Sequence, residues 1–166
     1  MLLLLLWVGV AVGVSFVCSL LEAVLLSVRR TSLLEARDTG SKGAALLYEL
    51  KTARLDDSIA AILTLNTISH TIGAALAGAQ AAHVAHDWGW GAHETLAVGI
   101  FSAILTLLIL VLSEIVPKTL GAVYAVQLAA PVGRALRALV AVSGPVLVVS
   151  RALTRLITRR ERARLS

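Results

Sequence analysis

All fifteen lysine and arginine residues of this 166-residue chain lie in two blocks, 29–54 and 118–164. The long stretches outside them, 1–28 and 55–117, contain none. Apolar residues make up 58% of the chain and the mean hydropathy is +0.87, which is more than a soluble domain of this size needs for its core. The sequence therefore predicts an integral membrane protein, and the positive-inside rule places both basic blocks in the cytoplasm.

Three segments have the length and apolarity of transmembrane helices, which need roughly 20 apolar residues to cross a bilayer. We place these spans at about 2–28, 58–82 and 95–116. Because both basic blocks are predicted to be cytoplasmic, the amino terminus and the loop 81–93 lie outside, and the carboxyl terminus lies inside. The loop contains two tryptophans, a residue type enriched at membrane interfaces.

The first predicted span has an alternative interpretation as a secretory signal peptide. Signal peptides begin with basic residues that precede an apolar core. The segment 2–28 has no basic start, and Glu22 interrupts its apolar run. We therefore predict a helix that remains in the membrane.

The second basic block contains an uncharged stretch, 138–150, that is too short to span, with only thirteen residues including Gly144 and Pro145. We predict a juxtamembrane amphipathic helix belt over about 132–160, on the inner membrane surface, where anionic lipid headgroups favour arginine. A fourth, tilted span is the alternative. The arginines at helical spacing are Arg134, Arg137, Arg151, Arg155 and Arg159.

A short cytoplasmic helix is predicted between the first two spans, at 41–54. Leu46, Leu47 and Leu50 fall on one side of it, and the preceding residues 38–41 have the chemistry of a turn and a helix cap. These elements fit one all-α domain with no internal repeat.

Polar side chains recur at spacings of three and four within the predicted spans, which places them on one face of each helix. Lipid cannot satisfy such groups, so we expect the faces to meet inside the bundle. The two carboxylates are the strongest indication of a functional site, because a charge near the centre of a membrane helix costs roughly 2.5 kcal/mol or more. The residues are Ser15, Ser19 and Glu22 in the first span, Asn66, Ser69 and His70 in the second, and Ser113 and Glu114 in the third.

Pro117 adds a backbone oxygen to this set, because proline has no N–H for the carbonyl of Ser113 and its ring clashes with that carbonyl. The freed carbonyl, Glu114, the hydroxyls of Ser19 and Ser113 and the amide of Asn66 form a hard, oxygen-only, net negative set. Such ligands suit Mg²⁺, Ca²⁺ or Na⁺ better than zinc or copper. One alternative is that the serines and the asparagine only join helices by hydrogen bonds. Another is that Glu22 and Glu114 belong to a proton relay.

Three stretches resemble the signature motifs of the transmembrane domain of the CNNM/CorC magnesium transporters. They are 19–30 (SLLEAVLLSVRR), 65–67 (LNT) and 113–119 (SEIVPKT). The resemblance covers nearly the whole chain, with the motifs in the family's order and each at the expected place relative to a span.

This resemblance implies a homodimer of three-helix protomers in a bacterial inner membrane, exporting Mg²⁺ from the cytoplasm with coupled Na⁺ influx. By the family's pattern Ser19, Asn66, Ser113 and Glu114 would hold the ion, with Glu22 close by. Family members usually continue into cytoplasmic CBS domains, which are absent from this chain, so we expect it to be the transmembrane part of a longer protein.

Two positions depart from the family's pattern. Ala23 stands where the family often has threonine, and His70 stands where a second asparagine is common. Each change removes a possible oxygen ligand, so the ion site is expected to be smaller than in relatives or to recruit Na⁺ differently. His70 is either a pH-sensitive substitute for the amide or an interior hydrogen-bonding group.

Other functions remain open at this point. The chain could be a membrane-anchored sensor that binds Mg²⁺ without moving it, or a scaffold whose polar groups only specify helix packing. A pair of histidines, His83 and His86, is interpreted as part of a solvated loop rather than a transition-metal site. No catalytic triad, phosphate loop or cysteine cluster indicates an enzyme, and lipid explains the arginines better than nucleic acid. Lys118 is interpreted as an anchor at the inner interface.

Overall fold

The computed structural model describes residues 2–87, 94–145 and 147–148. Throughout this part of the chain the regular elements are helical, and it contains no strand. The elements are α1 (Leu2–Ser27), α2 (Arg30–Asp38), α3 (Lys42–Ala53), α4 (Leu55–Asp87), α5 (Glu94–Leu108), a π-helical segment (Ile109–Ile115), α6 (Val116–Val123) and α7 (Ala125–Val142). The predicted all-α fold is confirmed.

Within the described residues, three helical stretches are long and apolar enough to cross a membrane, namely Leu5–Ser27, Thr106–Val123 and Ala125–Val142. The first lies in the predicted span 2–28. The second extends the carboxyl-terminal part of the predicted span 95–116, and the third overlaps the start of the predicted belt.

The predicted span 58–82 lies inside α4, a 33-residue helix. Two predicted features fall outside the described residues: the tryptophans Trp88 and Trp90 of the outer loop, and the part of the belt beyond residue 148.

Helix α1 is central, because α4, the π-helical segment, α6 and α7 all pack against it. Helix α4 is antiparallel to α1, because Gly73 lies against Ala11 and His70 lies against Ser15. The hydroxyl of Ser69 donates a 3.0 Å hydrogen bond to the carbonyl of Ala11, and Ser15 is hydrogen-bonded to His70. At Gly73 a Cβ would overlap the side chain of Ala11, so this crossing depends on small residues, as is common between membrane helices.

Helix α3 begins where the sequence predicts a cap. Gly40 has a φ of +91°, a conformation that glycine adopts without strain. The side chain of Ser41 then accepts a hydrogen bond from the N–H of Ala44. Leu47 and Leu50 are buried and Leu46 is half-buried, so the predicted apolar side of this helix faces the protein.

Helices α3 and α7 cross at a pair of glycines. A Cβ on Gly43 would overlap the backbone of Ala130, and a Cβ on Gly133 would overlap the backbone of Gly43. Near this crossing, the guanidinium of Arg137 donates to the carboxylate of Glu49 at 3.0 Å. The two helices therefore form a tightly joined unit.

Lys51 of α3 ties this unit to the end of α1. Its ammonium donates to the carbonyls of Leu25 at 2.5 Å and Leu26 at 3.0 Å, in the last turn of α1, where carbonyls lack partners within the helix. Burial, together with the nearby charge of Arg30, lowers the pKa of Lys51.

Candidate functional site

The backbone changes its helical pitch where the sequence predicts an ion site. The π-helical segment contains Ser113 and Glu114, and at its end the N–H of Val116 donates to the carbonyl of Val111, five residues earlier. Pro117 follows and is buried. Proline disturbs an α-helical ladder, and π-helical turns are frequent at functional sites. The sequence predicts a disturbance here but not its π-helical form, and a freed carbonyl at Ser113 stays a prediction.

Two predicted ligand atoms are buried without a hydrogen-bond partner. Among the described residues, these are the hydroxyl oxygen of Ser19 and the side-chain carbonyl oxygen of Asn66. Buried polar groups are nearly always paired in folded proteins, and leaving one unpaired costs about 1–3 kcal/mol. Ser19 lies on α1 and Asn66 on α4, two helices that pack against each other, and each oxygen is free to accept a bond from a cation.

His70 links α1 to the π-helical segment. Its Nε2 is hydrogen-bonded to the hydroxyl of Ser15, and its Nδ1 lies 3.9 Å from a carboxylate oxygen of Glu114. Ser15 is fully buried, whereas the side chains of His70 and Glu114 are partly exposed. The structure thus shows His70 as a hydrogen-bonded, half-buried group between α1 and the π-helical segment.

Glu22 forms an ion pair with Lys118, whose Nζ lies 3.3 Å from its carboxylate. The sequence predicts an anchoring role for Lys118 at the inner interface and does not predict this pair. The only signal for it was a lysine close in sequence to Glu114, near the end of a predicted span. The ammonium of Lys118 therefore offsets part of the negative charge of the candidate site.

The predicted hydroxyl ligands are buried, whereas the predicted carboxylate ligands are partly exposed. Ser19 and Ser113 are almost completely buried, whereas the side chains of Glu22 and Glu114 retain 23% and 32% of their exposure. A metal here would depend on hydroxyl and amide oxygens, because the described residues contain no group of three or more His, Cys, Asp and Glu side chains that could hold one. The side chains of His83 and His86 lie outside the described residues.

Comparison with known protein families shows to which family the chain belongs. The family model of the cyclin M (CNNM) transmembrane N-terminal domain matches residues 5–165. The chain belongs to the CNNM family. This CNNM domain is also 32% identical over 149 residues to the UPF0053 protein sll1254 of Synechocystis sp. (strain ATCC 27184 / PCC 6803 / Kazusa), an alignment that covers 89% of this chain and 40% of that relative.

The CNNM domain described here thus spans about two fifths of the length of that curated relative. Its membership of the family and its apolar helices identify it as an integral membrane protein. The five residues predicted as metal ligands lie on α1, α4 and the π-helical segment, and both α4 and the π-helical segment pack against α1.

Proposed function

We propose that this domain exports Mg²⁺ across the bacterial inner membrane, with coupled Na⁺ influx, through a buried site between α1, α4 and the π-helical segment. The observation that supports it most is the pair of buried, unpaired oxygens of Ser19 and Asn66. Leaving these two oxygens unpaired costs free energy in the ion-free protein, and a bound cation would offset that cost. Family membership supports a role in divalent-cation transport or a related function.

The proposed ligands match what Mg²⁺ requires. This ion takes oxygen ligands in near-octahedral geometry at about 2.0–2.1 Å and loses water reluctantly. Ser19, Asn66 and Ser113 offer neutral oxygens, and Glu114 adds a negative charge that a dication needs in a medium of low dielectric. Glu22 contributes further negative charge nearby. The remaining positions would be filled by backbone oxygens or retained water.

Partial exposure of the carboxylates supports transport. An ion that must leave the site has to reach the protein surface, and the carboxylates of Glu22 and Glu114 are not sealed inside the protein. In the proposed cycle Mg²⁺ reaches the site from the cytoplasm, and Na⁺ replaces it with half the charge. The orientation has the amino terminus outside and the carboxyl terminus in the cytoplasm.

A specific contact favours sensing as the second candidate. Lys51 joins the end of α1 to α3, so a shift of α1 on ion binding would move the cytoplasmic helices. In that case the domain would bind Mg²⁺ and change conformation with no net movement of ions.

The deciding experiment is Mg²⁺ flux by the purified chain in vesicles, with and without an opposing Na⁺ gradient. We expect flux in the native chain and its loss in Ser19→Ala. Ser58→Ala is the matched control, because Ser58 is equally buried but donates to the carbonyl of Arg54 outside the site. Mg²⁺ binding without flux would favour sensing, and equal flux in both variants would contradict the proposed site.

A further inference from the structure

The two carboxylates of the candidate site each face a nitrogen-bearing side chain. Glu114 lies near the ring of His70, and Glu22 lies 3.3 Å from the ammonium of Lys118. The lysine ammonium is a compact positive charge on a flexible stem. A mobile cation is thus already paired with one of the groups that would attract Mg²⁺.

Backbone packing holds Lys118 in this position. Its neighbour Pro117 is buried. At Gly121, one turn further on, a Cβ would lie 2.7 Å from the Cβ of Ala23 on α1. Since α6 packs so closely against α1, Lys118 stays within reach of Glu22 even when the ion pair itself is broken.

We propose that Lys118 is a tethered cation that neutralises Glu22 in the ion-free domain and is displaced when a divalent cation binds. This inference rests on the proposed function. On displacement the ammonium moves away from Glu22 toward the protein surface, where 48% of the Lys118 side chain is already exposed. On its return it competes with the bound ion for Glu22. Lys118 is therefore a positioning residue that weakens ion retention and promotes release.

The proposal predicts a definite change in affinity. Without the ammonium, Glu22 is left uncompensated beside the site, and the attraction of a dication to it increases. At a partly exposed position, an electrostatic attraction at this range increases a binding constant by about tenfold or more. Because Lys118 is partly exposed, screening keeps the expected increase in Mg²⁺ affinity toward the lower end.

The test is calorimetric titration of the purified full chain in detergent with MgCl₂. We expect Lys118→Met to bind Mg²⁺ about tenfold more tightly than the native chain, and Lys118→Arg to bind with native affinity because it keeps the charge. Lys42→Met is the matched control, since it removes the same charge from the exposed start of α3, and it should leave the affinity unchanged.

A double-mutant cycle separates displacement from general repulsion. If Lys118 acts through Glu22, Lys118→Met should change the affinity much less, by under about threefold, in a Glu22→Gln background. An equal gain in both backgrounds would show that Lys118 repels the ion without being displaced from Glu22, and would overturn the inference.

The remaining outcomes are also decisive. Native affinity in Lys118→Met, with an unchanged helical signal, would make Lys118 only an anchor and would overturn the inference while leaving the proposed function intact. Absence of saturable Mg²⁺ binding by the native chain would overturn both. Should Lys118→Met fail to fold, Lys118→Gln takes its place in the same cycle, with the same expected gain in affinity and the same overturning outcomes.

Discussion

At the scale of single residues, Ser19 and Asn66 stand out because each buries a polar oxygen without a partner. Two other buried serines have one, since Ser15 is hydrogen-bonded to His70 and Ser58 donates to a backbone carbonyl. The domain therefore carries a local cost at Ser19 and Asn66 that a bound ion would offset. Such a trade of stability for function is common at binding sites.

This cost leads to a prediction about stability. In Mg²⁺-free buffer, Ser19→Ala should stabilise the domain by about 1 kcal/mol, because it removes an unpaired buried hydroxyl. In Ser58→Ala a hydrogen bond is lost, so stability should stay equal or fall. Denaturant unfolding in detergent micelles would measure both. A loss of stability in Ser19→Ala would mean that its hydroxyl has a partner in the ion-free protein.

At the scale of helices, two close approaches determine how the elements meet. α3 crosses α7 through Gly43 and Gly133, and α3 holds the end of α1 through Lys51. These contacts connect the helices that carry the candidate site to the helices predicted to lie in the cytoplasm. Their loss should affect the fold as a whole.

The glycine crossing gives a prediction with a clear control. Gly133→Ala should destabilise the domain by about 3 kcal/mol or prevent folding, because the added methyl group overlaps the backbone of Gly43 and overpacking of this kind typically costs 1–3 kcal/mol or more. Gly99→Ala meets no atom within 4 Å in the described residues, so it should be neutral or slightly stabilising. Yield and thermal unfolding in detergent would compare them, and similar values would contradict this packing.

The lysine contact gives a separate prediction. Lys51→Met should lower stability by about 1–2 kcal/mol, because the carbonyls of Leu25 and Leu26 lose a charged donor. Lys42→Met, on the same helix, provides the control. Equal thermal unfolding of the two variants would show that the end of α1 does not depend on α3.

Local sequence signals were sufficient for some elements and not for others. The Gly40–Ser41 cap and the apolar side of α3 follow from neighbouring residues, so the sequence predicts them. Pro117 predicts a disturbance of the helix but not its π-helical form. The pairing of Lys118 with Glu22 depends on how α6 packs against α1, and no local pattern contains that information. The ligand set Ser19, Glu22, Asn66, Ser113 and Glu114 stays a prediction.

At the scale of the whole molecule, α1 is packed on one side and open on the other. Along the open side, Val10 and Val17 are exposed, and Cβ atoms at Gly9 and Gly13 would meet no described atom within 4 Å. Two glycines four residues apart allow close approach of a second membrane helix. We propose this strip as the seam of the expected homodimer.

The seam makes a prediction about assembly. Gly13→Leu should leave the protomer folded, because a Cβ at this position meets no described atom within 4 Å, and should shift the protein from dimer to monomer. Gly99→Leu, in an open position on α5, should not. Analytical ultracentrifugation in detergent would measure the masses, and a dimer that persists in Gly13→Leu would place the seam elsewhere.

The central claim is that the buried oxygens of α1 and α4 bind Mg²⁺, and calorimetric Mg²⁺ binding by the native chain and Asn66→Ala tests it most directly. We expect saturable binding in the native chain, weakened by added Na⁺, and at least tenfold weaker binding in Asn66→Ala, because one oxygen ligand is lost. Equal affinity in the two proteins would contradict the claim and remove Asn66 from the site.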